Sequence, residues 1–291
     1  MKASYLTAAD AIADWRDDVL SGNRPTRWAI GDGFEAIEIG PEQVVLLGGA
    51  PGAGKTALSM QWVIDALRID GELRALVANV ESSPTVLLDR QLSRLSGIPL
   101  STIRDRQLTE AHGERLADAF GILGDIAEQL TFLTAPFSLP NVAAAADATD
   151  SKLIVIDYAQ RFTAGADDKR HEVNKLMDYL RRFADAGCGL LVLAAVGRTK
   201  DKRGRSSYSA DGLSLASFRD SSELEFGADA AFMLSSAGHG KENLACLKNR
   251  HGEPVGVELE FDGSVQRFIP PTWDSSPTEL WGLPAGGDTV E

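Results

Sequence analysis

The sequence predicts an α/β domain: a mostly parallel, twisted sheet flanked by helices, with antiparallel strands at its C-terminal end. Three observations carry that expectation. A short apolar run, Val44 to Leu47, breaks into a glycine-dense turn and then into a helical pattern from Ala57 to Leu67. From about Trp28 to Phe268, strand-like and helix-like stretches alternate, the order produced when helices cross over between parallel strands. One strand-like run, Lys152 to Asp157, is apolar until it ends on a carboxylate.

Taken in order, the chain opens with an amphipathic helix from Thr7 to Leu20, in which Thr7 caps the first turn with Asp10 three residues on. Ala11, Ile12, Trp15 and Leu20 form its apolar positions, and Ser21–Pro25 breaks it. Nothing in its own segment can bury that face, so it must dock on the main domain or on another subunit. After the glycine-rich turn and its helix, Arg74–Val80 reads as a buried strand. Ser83 and Pro84 then suit the cap and first position of a helix through Leu87, Leu92 and Leu95, stopped by Gly97. A second helix starts at the cap Thr109 and runs through Leu116, Ala117 and Phe120. A strand at Leu130–Leu133 and a Pro/Ala-rich connection lead to the carboxylate-ended strand. Lys169–Ala186 is a charged amphipathic helix and Gly189–Ala195 another buried strand. Ala230–Leu234, Leu244–Lys248, Val255–Phe261 and Val265–Phe268 alternate as antiparallel strands, with a hairpin turn at Asp262-Gly263. From Pro270 onward there is no periodicity, and a tail without its own core is expected; Trp273 and Trp281 there can clip it to the domain or to a protein partner.

Composition narrows the function. The formal charge of −13 over 291 residues argues against a protein that coats nucleic acid generally, though not against a local basic channel. No apolar run is long enough to span a membrane, and the N-terminus lacks a signal-peptide layout, so a cytoplasmic protein is expected. Cys188 and Cys246 sit beside apolar segments and read as buried free thiols, too few for a structural zinc site.

The chemistry begins at Gly49-Ala-Pro-Gly-Ala-Gly-Lys-Thr56, which satisfies the P-loop pattern G-x-x-x-x-G-K-[ST] with a strand before it and a helix after it. A glycine-rich turn with a chance lysine is the bland alternative, and the agreement of strand, spacing and helix argues against it. Gly49, Ala50, Pro51, Gly52, Ala53 and Gly54 let backbone N–H groups face phosphate oxygens, and the helix entered through Ala57 adds its positive end. Lys55 reaches the β- and γ-phosphates of ATP, and Thr56 holds Mg²⁺. Given that loop, Asp157 is the second holder of the Mg²⁺ shell. The one basic concentration is Arg198–Arg205, with Arg198, Lys200, Lys202, Arg203 and Arg205 followed by Tyr208; it suits a phosphodiester backbone, or else is a solvated surface loop.

Several further segments, in order, carry a resemblance. Val80-Glu-Ser-Ser83 closes the Arg74–Val80 strand, Leu108-Thr-Glu leads to Glu114-Arg-Leu-Ala-Asp-Ala119, and Leu153-Ile-Val-Ile-Asp-Tyr-Ala-Gln160 departs from "LIVIDYLQ" at one residue. Leu213–Ser221 with its Arg219, continuing to Ala228-Asp229, is similar to "LSDLRESG…DAD", and Leu247-Lys-Asn-Arg-His-Gly252 to a K-x-R-x-G segment. Together, over about residues 30–268, they resemble the motor domain of DnaB-type replicative helicases, within the RecA-like P-loop ATPases.

The resemblance implies a RecA-like core at 28–269 and a linker-type helix at 1–27, and the unpatterned residues 270–291 are left as a flexible tail. It makes Glu81 the group that polarises the attacking water and Lys248 and Arg250 cationic fingers reaching a neighbouring subunit's nucleotide; Gln160 and Arg219 are further site positions. It implies a homo-oligomeric, hexameric ring on single-stranded DNA, and it places the N-terminal helix against the next subunit. Four departures qualify it. Ser82 stands for a methionine, Ala195 stands where the family has a γ-phosphate-sensing glutamine, the stretch after Gln160 is short, and nothing matches the family's N-terminal helical domain. Alanine has no hydrogen-bonding side chain, so sensing must be altered or rerouted, for example through Arg198. Two readings result: a DNA translocase or helicase, or a nucleotide-switched assembly subunit without processive unwinding. A small-molecule kinase is the weakest, since no acceptor site is visible.

Overall fold

The computed structural model describes residues 5–162, 169–196, 199–200, 206–207 and 227–271. In chain order the elements are α1 (Ala8–Ser21), β1 (Val44–Gly49), α2 (Lys55–Ile69), β2 (Ala75–Asn79), α3 (Pro84–Ser96), α4 (Leu100–Arg104), α5 (Gly113–Asp125), β3 (Leu130–Phe132), α6 (Leu139–Ala148) and β4 (Leu153–Asp157). Next come α7 (Lys169–Asp185), β5 (Gly189–Ala195), a two-stranded ribbon of β6 (Thr199–Lys200) and β7 (Ser206–Ser207), and β8 (Ala230–Gly238), β9 (Lys241–Asn249), β10 (Val257–Asp262) and β11 (Arg267–Ile269).

The main sheet has the order β11-β10-β9-β8-β1-β5-β4-β2-β3. From β8 to β3 the neighbours run parallel, and β8 to β11 form an antiparallel meander, as the sequence led us to expect. The parallel strands are buried on both faces, which is why β1, β4 and β5 read as unbroken apolar runs rather than alternating ones. Val45 and Leu47 of β1 pack on the face that Leu58 and Trp62 of α2 cover. Val44 and Leu46 pack on the opposite face, under Val142 of α6 and Leu176 and Leu180 of α7. Parallel pairing with Gly49 opposite Ala195 and Leu234, and Asn79 opposite Asp157, brings the carboxyl ends of β1, β2, β4 and β5 to one edge.

The local signals at helix ends hold. Thr7 caps α1 by accepting from the Asp10 amide, and Ser83 caps α3, with Pro84 in its first turn and Gly97 left-handed at its end. Elsewhere the structure differs from the sequence reading. The Pro/Ala-rich connection contains a helix, α6, capped by Ser138; its alanines are good helix formers, and Leu139, Val142 and Ala146 lie on one buried face. Thr109 caps a short 3₁₀ turn, Glu110–His112, so the long helix starts only at Gly113. The hairpin is closed by Asp262 and Arg267, so its loop takes in Ser264, Val265 and a left-handed Gln266 as well as Gly263. Cys188 and Cys246 are free, and both are half-buried rather than buried. Trp273 and Trp281 lie outside the described residues. No helix among the described residues is long and apolar enough to cross a membrane.

One tie fixes the short edge strand. The Gln61 side chain of α2 accepts from the Phe268 amide at 2.9 Å and donates to the Phe268 carbonyl at 2.8 Å, both buried. It thereby stands in for a neighbouring strand, and it seats Phe268, stacked on Phe261 at 4.3 Å between centroids, beneath the glycine turn. Gln61→Leu keeps the volume but strands both backbone groups, so denaturant unfolding should register a loss of about 2–4 kcal/mol. A variant as stable as the parent would mean β11 is held by its ladder to β10 and its aromatic stack without help from Gln61.

Candidate active site

The glycine turn lies at the carboxyl edge of the sheet, between β1 and α2. Gly49 has no room for a side chain: a Cβ there would sit 2.8 Å from the Leu234 carbonyl oxygen. Gly54 is left-handed (φ 88°), and a Cβ would meet the Phe268 ring at 2.7 Å. The turn is thus formed by close approach from β8 and β11 as well as by its own flexibility. α2 starts at Lys55 with no side-chain cap, which leaves its first amides and its positive end to whatever anion occupies the turn. Lys55 Nζ donates to the Gly49 and Ala50 carbonyls at 2.9 and 3.1 Å. Burial lowers its pKa, and the Asp157 and Glu81 carboxylates oppose that shift.

Asp157 ends β4 at 5% exposure. Its Oδ2 accepts from Thr56 Oγ1 at 2.7 Å and from Asn79 Nδ2 at 2.6 Å. The Asn79 oxygen accepts in turn from the backbone N–H groups of Glu81 and Ser82, at 2.9 and 2.6 Å. Glu81 itself is exposed at the mouth of this edge. Burial raises the Asp157 pKa, reinforced by Glu81; the Thr56 hydrogen bond and the Lys55 charge act against it. Gln160, three residues past Asp157, accepts from the Ala195 amide at 3.1 Å and donates to the Ala195 carbonyl at 3.2 Å, joining the ends of β4 and β5.

A model of the DnaB-like helicase C-terminal domain matches residues 36–270. The chain belongs to that family. Among curated proteins none matches it. Its fold is similar to that of a solved ATPase domain of G40P, with TM-score 0.76 and 17% identity over 91% of this chain and 99% of the other. A DnaB-like replicative helicase solved in a study of its interactions with primase also matches, with TM-score 0.76 and 18% identity over 90% and 68%. As a DnaB-like domain, the chain is an ATP-hydrolysing enzyme with a RecA-like α/β core.

The hydroxyl of Thr56 and the carboxylate of Asp157 are hard oxygen donors already within hydrogen-bond distance. Mg²⁺ commonly takes one or two protein oxygens and fills its octahedron with phosphates and water, so this small donor set fits the ion. Among the described residues no larger group of metal-ligating side chains exists.

The other cationic candidates stand apart. Lys248 pairs with Ala231, and the Arg250 amide donates to the Asp229 carbonyl at 2.8 Å, at the amino end of β8. β8 runs parallel to β1, so both residues lie toward the end of the sheet away from the glycine turn. From Val44 to Gly49 is five steps, roughly 16 Å at about 3.3 Å each. Arg250 falls just past β9, so strict strand alternation does not govern it; its guanidinium meets Asp229 Oδ1 at 3.4 Å. The same carboxylate accepts from the Val44 amide at 2.8 Å and from Arg181 at 2.6 Å. Lys200 stands on β6, while Arg198, Lys202, Arg203, Arg205 and Arg219 lie outside the described residues.

Sequence reasoning missed Asn79 and Asp229. Asn79 had a legible signal, an asparagine at the carboxyl end of a buried strand two residues before a glutamate. Asp229 appeared only inside a matched string.

A buried carboxylate with a raised pKa costs stability when ionised. The penalty is absent below the ordinary aspartate pKa of 3.8 and grows as pH rises through the folded-state value. Asp157→Asn should therefore melt at a higher temperature than the parent at neutral pH, with nucleotide hydrolysis lost, and the gap should close toward pH 4. A less stable variant at neutral pH would show that Lys55 and Thr56 outweigh burial.

Proposed function

We propose that the chain is a Mg-ATP-driven ring subunit, hexameric in the manner of its family, that grips and translocates single-stranded DNA. The observation that carries this reading is the separation of the parts. The phosphate turn, Thr56, Asp157 and Glu81 gather at one edge, whereas Lys248 and Arg250 sit toward the other. A head-to-tail ring brings the second edge of one copy to the first edge of the next.

Within each site, Gly49–Thr56 wrap the phosphates and Lys55 turns from its carbonyl partners to phosphate oxygens. Mg²⁺, held by Thr56 and through the shell of Asp157, would neutralise charge on the phosphates. Glu81 orients the attacking water and accepts its proton. Lys248 and Arg250 of a neighbouring copy stabilise the charge of the transition state, so hydrolysis depends on assembly.

Two features support the ring. Ile12, Trp15 and Val19 of α1 are 55%, 64% and 56% exposed at helical spacing, an apolar face suited to the next copy. The basic stretch Arg198–Arg205 comes just after the end of β5, and its charge contrasts with the net −13 of the whole chain. A second reading, a nucleotide-switched assembly subunit, is favoured by one observation. Ala195 brings no side-chain hydrogen bond to the end of β5, where Gln160 instead holds its backbone.

Trans catalysis can be read by mixing two inert variants. Arg250→Ala retains the phosphate turn and Lys55→Ala retains the finger, so about one interface in four of a randomly mixed head-to-tail ring pairs two intact halves. The mixture should regain about a quarter of the parent ATPase; a mixture as inert as its components would exclude a finger in trans. The motor reading is tested separately by ATPase rate with and without single-stranded DNA at low salt. Stimulation should be lost when Lys200, Lys202, Arg203 and Arg205 are neutralised. Absence of stimulation in the parent, with assembly still ATP-dependent, would favour the assembly subunit.

A further inference from the structure

We propose that Asn79 is a positioning residue of the hydrolytic site, one side-chain amide that holds the Asp157 carboxylate and the Glu81 turn in fixed relation. The proposal rests on the reading of Glu81 as the water-orienting group and adds to it the device that places Glu81.

β2 and β4 are neighbours in parallel register, with Asn79 directly beside Asp157 at their common carboxyl end. The backbone ladder continues one step further, the Val80 amide donating to the Asp157 carbonyl at 2.9 Å. Beyond that point the chain turns away, and the amides of Glu81 and Ser82 have lost their strand neighbour. Asn79 Oδ1 takes both, at 2.9 and 2.6 Å, in the manner of an Asx turn. Its Nδ2 donates at 2.6 Å to Asp157 Oδ2, the oxygen that also accepts from Thr56. At 6% exposure the amide has no room to swing, so the two ends of one rigid planar group set where Glu81 leaves the strand relative to Asp157.

The chemistry requires an amide. Aspartate has the same shape and can accept from both backbone amides, but it cannot donate to Asp157 and sets a second carboxylate beside it. Serine is too short to span both partners, and an aliphatic side chain serves neither. Asparagine supplies an acceptor for the turn and a donor for the carboxylate at one length. Asn79 touches neither nucleotide nor water in this scheme; it acts through Glu81 and Asp157.

The test is a mutant cycle on the full chain, read by nucleotide binding, melting and single-turnover hydrolysis. Asn79→Ala should bind ATP within about threefold of the parent, since Gly49–Thr56 are untouched, while the hydrolysis rate falls about 10–100-fold, the loss typical of an outer-shell partner. Because the part of its effect that runs through Glu81 is already absent in a Glu81→Gln background, the double variant should lose less than the product of the two single losses. Losses that multiply, or an Asn79→Ala rate equal to the parent, overturn the proposal. Should Asn79→Ala not fold, Asn79→Ser, too short to span both partners, keeps a polar side chain in the turn without adding a second carboxylate. A hydrolysis rate lowered at least about tenfold with unchanged ATP binding supports the proposal, and a parental rate rejects it. Failure of the underlying reading looks different, because then Glu81→Gln itself hydrolyses at the parental rate.

Discussion

One carboxylate oxygen organises the site. Asp157 Oδ2 is shared by the Thr56 hydroxyl and the Asn79 amide, so α2, β4 and β2 meet on a single buried acceptor. β1, which leads into α2, is not a neighbour of β4; β5 lies between them. The hydrogen bond from Thr56 therefore crosses a strand, and only the glycine turn allows α2 to start far enough over to make it. The close approaches at Gly49 and Gly54 bear on the chemistry for that reason. They set the depth at which the turn lies, and with it the distance from Thr56 to Asp157.

The sheet topology then separates the functions. Parallel strands deliver each loop at their carboxyl ends to the same edge, which is why the glycine turn, Glu81, Asp157 and Gln160 converge without being close in sequence. β9 runs back against β8, so the residues just beyond β9 emerge toward the opposite edge. Lys248 and Arg250 are carried there by the meander. Asp229 anchors that end. Its carboxylate accepts from the Val44 amide, Arg181 and Arg250, so the start of the strand that leads into the phosphate turn and the base of the cationic pair share one buried group. β1 thus has a polar group at each end, the glycine turn at one and the buried Asp229 at the other.

Much of this was legible in the sequence because it is local. The glycine turn, the carboxylate-ended β4 and the caps at Thr7 and Ser83 are each specified by a few adjacent residues with a single physical purpose. The features that escaped were long-range or lacked periodicity. α6 was hidden because an alanine run between a proline and a strand has no polar face to announce its phase. The roles of Asn79 and Asp229 depend on which strands become neighbours, and no spacing within β2 or β8 encodes that β4 and β1 lie beside them. Arg250 lies one residue beyond the end of β9, and the register shift between Ala231 and Phe232 breaks the alternation before it.

At the end of β5, where the resemblance sets a glutamine against Ala195, the geometry narrows what the alanine means. An alanine at position 195 removes a side-chain hydrogen bond, yet both backbone groups of Ala195 are taken up by the amide of Gln160. That pairing ties the end of β5 to the turn just after Asp157, two neighbouring strands that already share a ladder. A displacement of Asp157 on metal or phosphate binding would therefore be transmitted to the end of β5 through backbone, with no side chain from β5 needed.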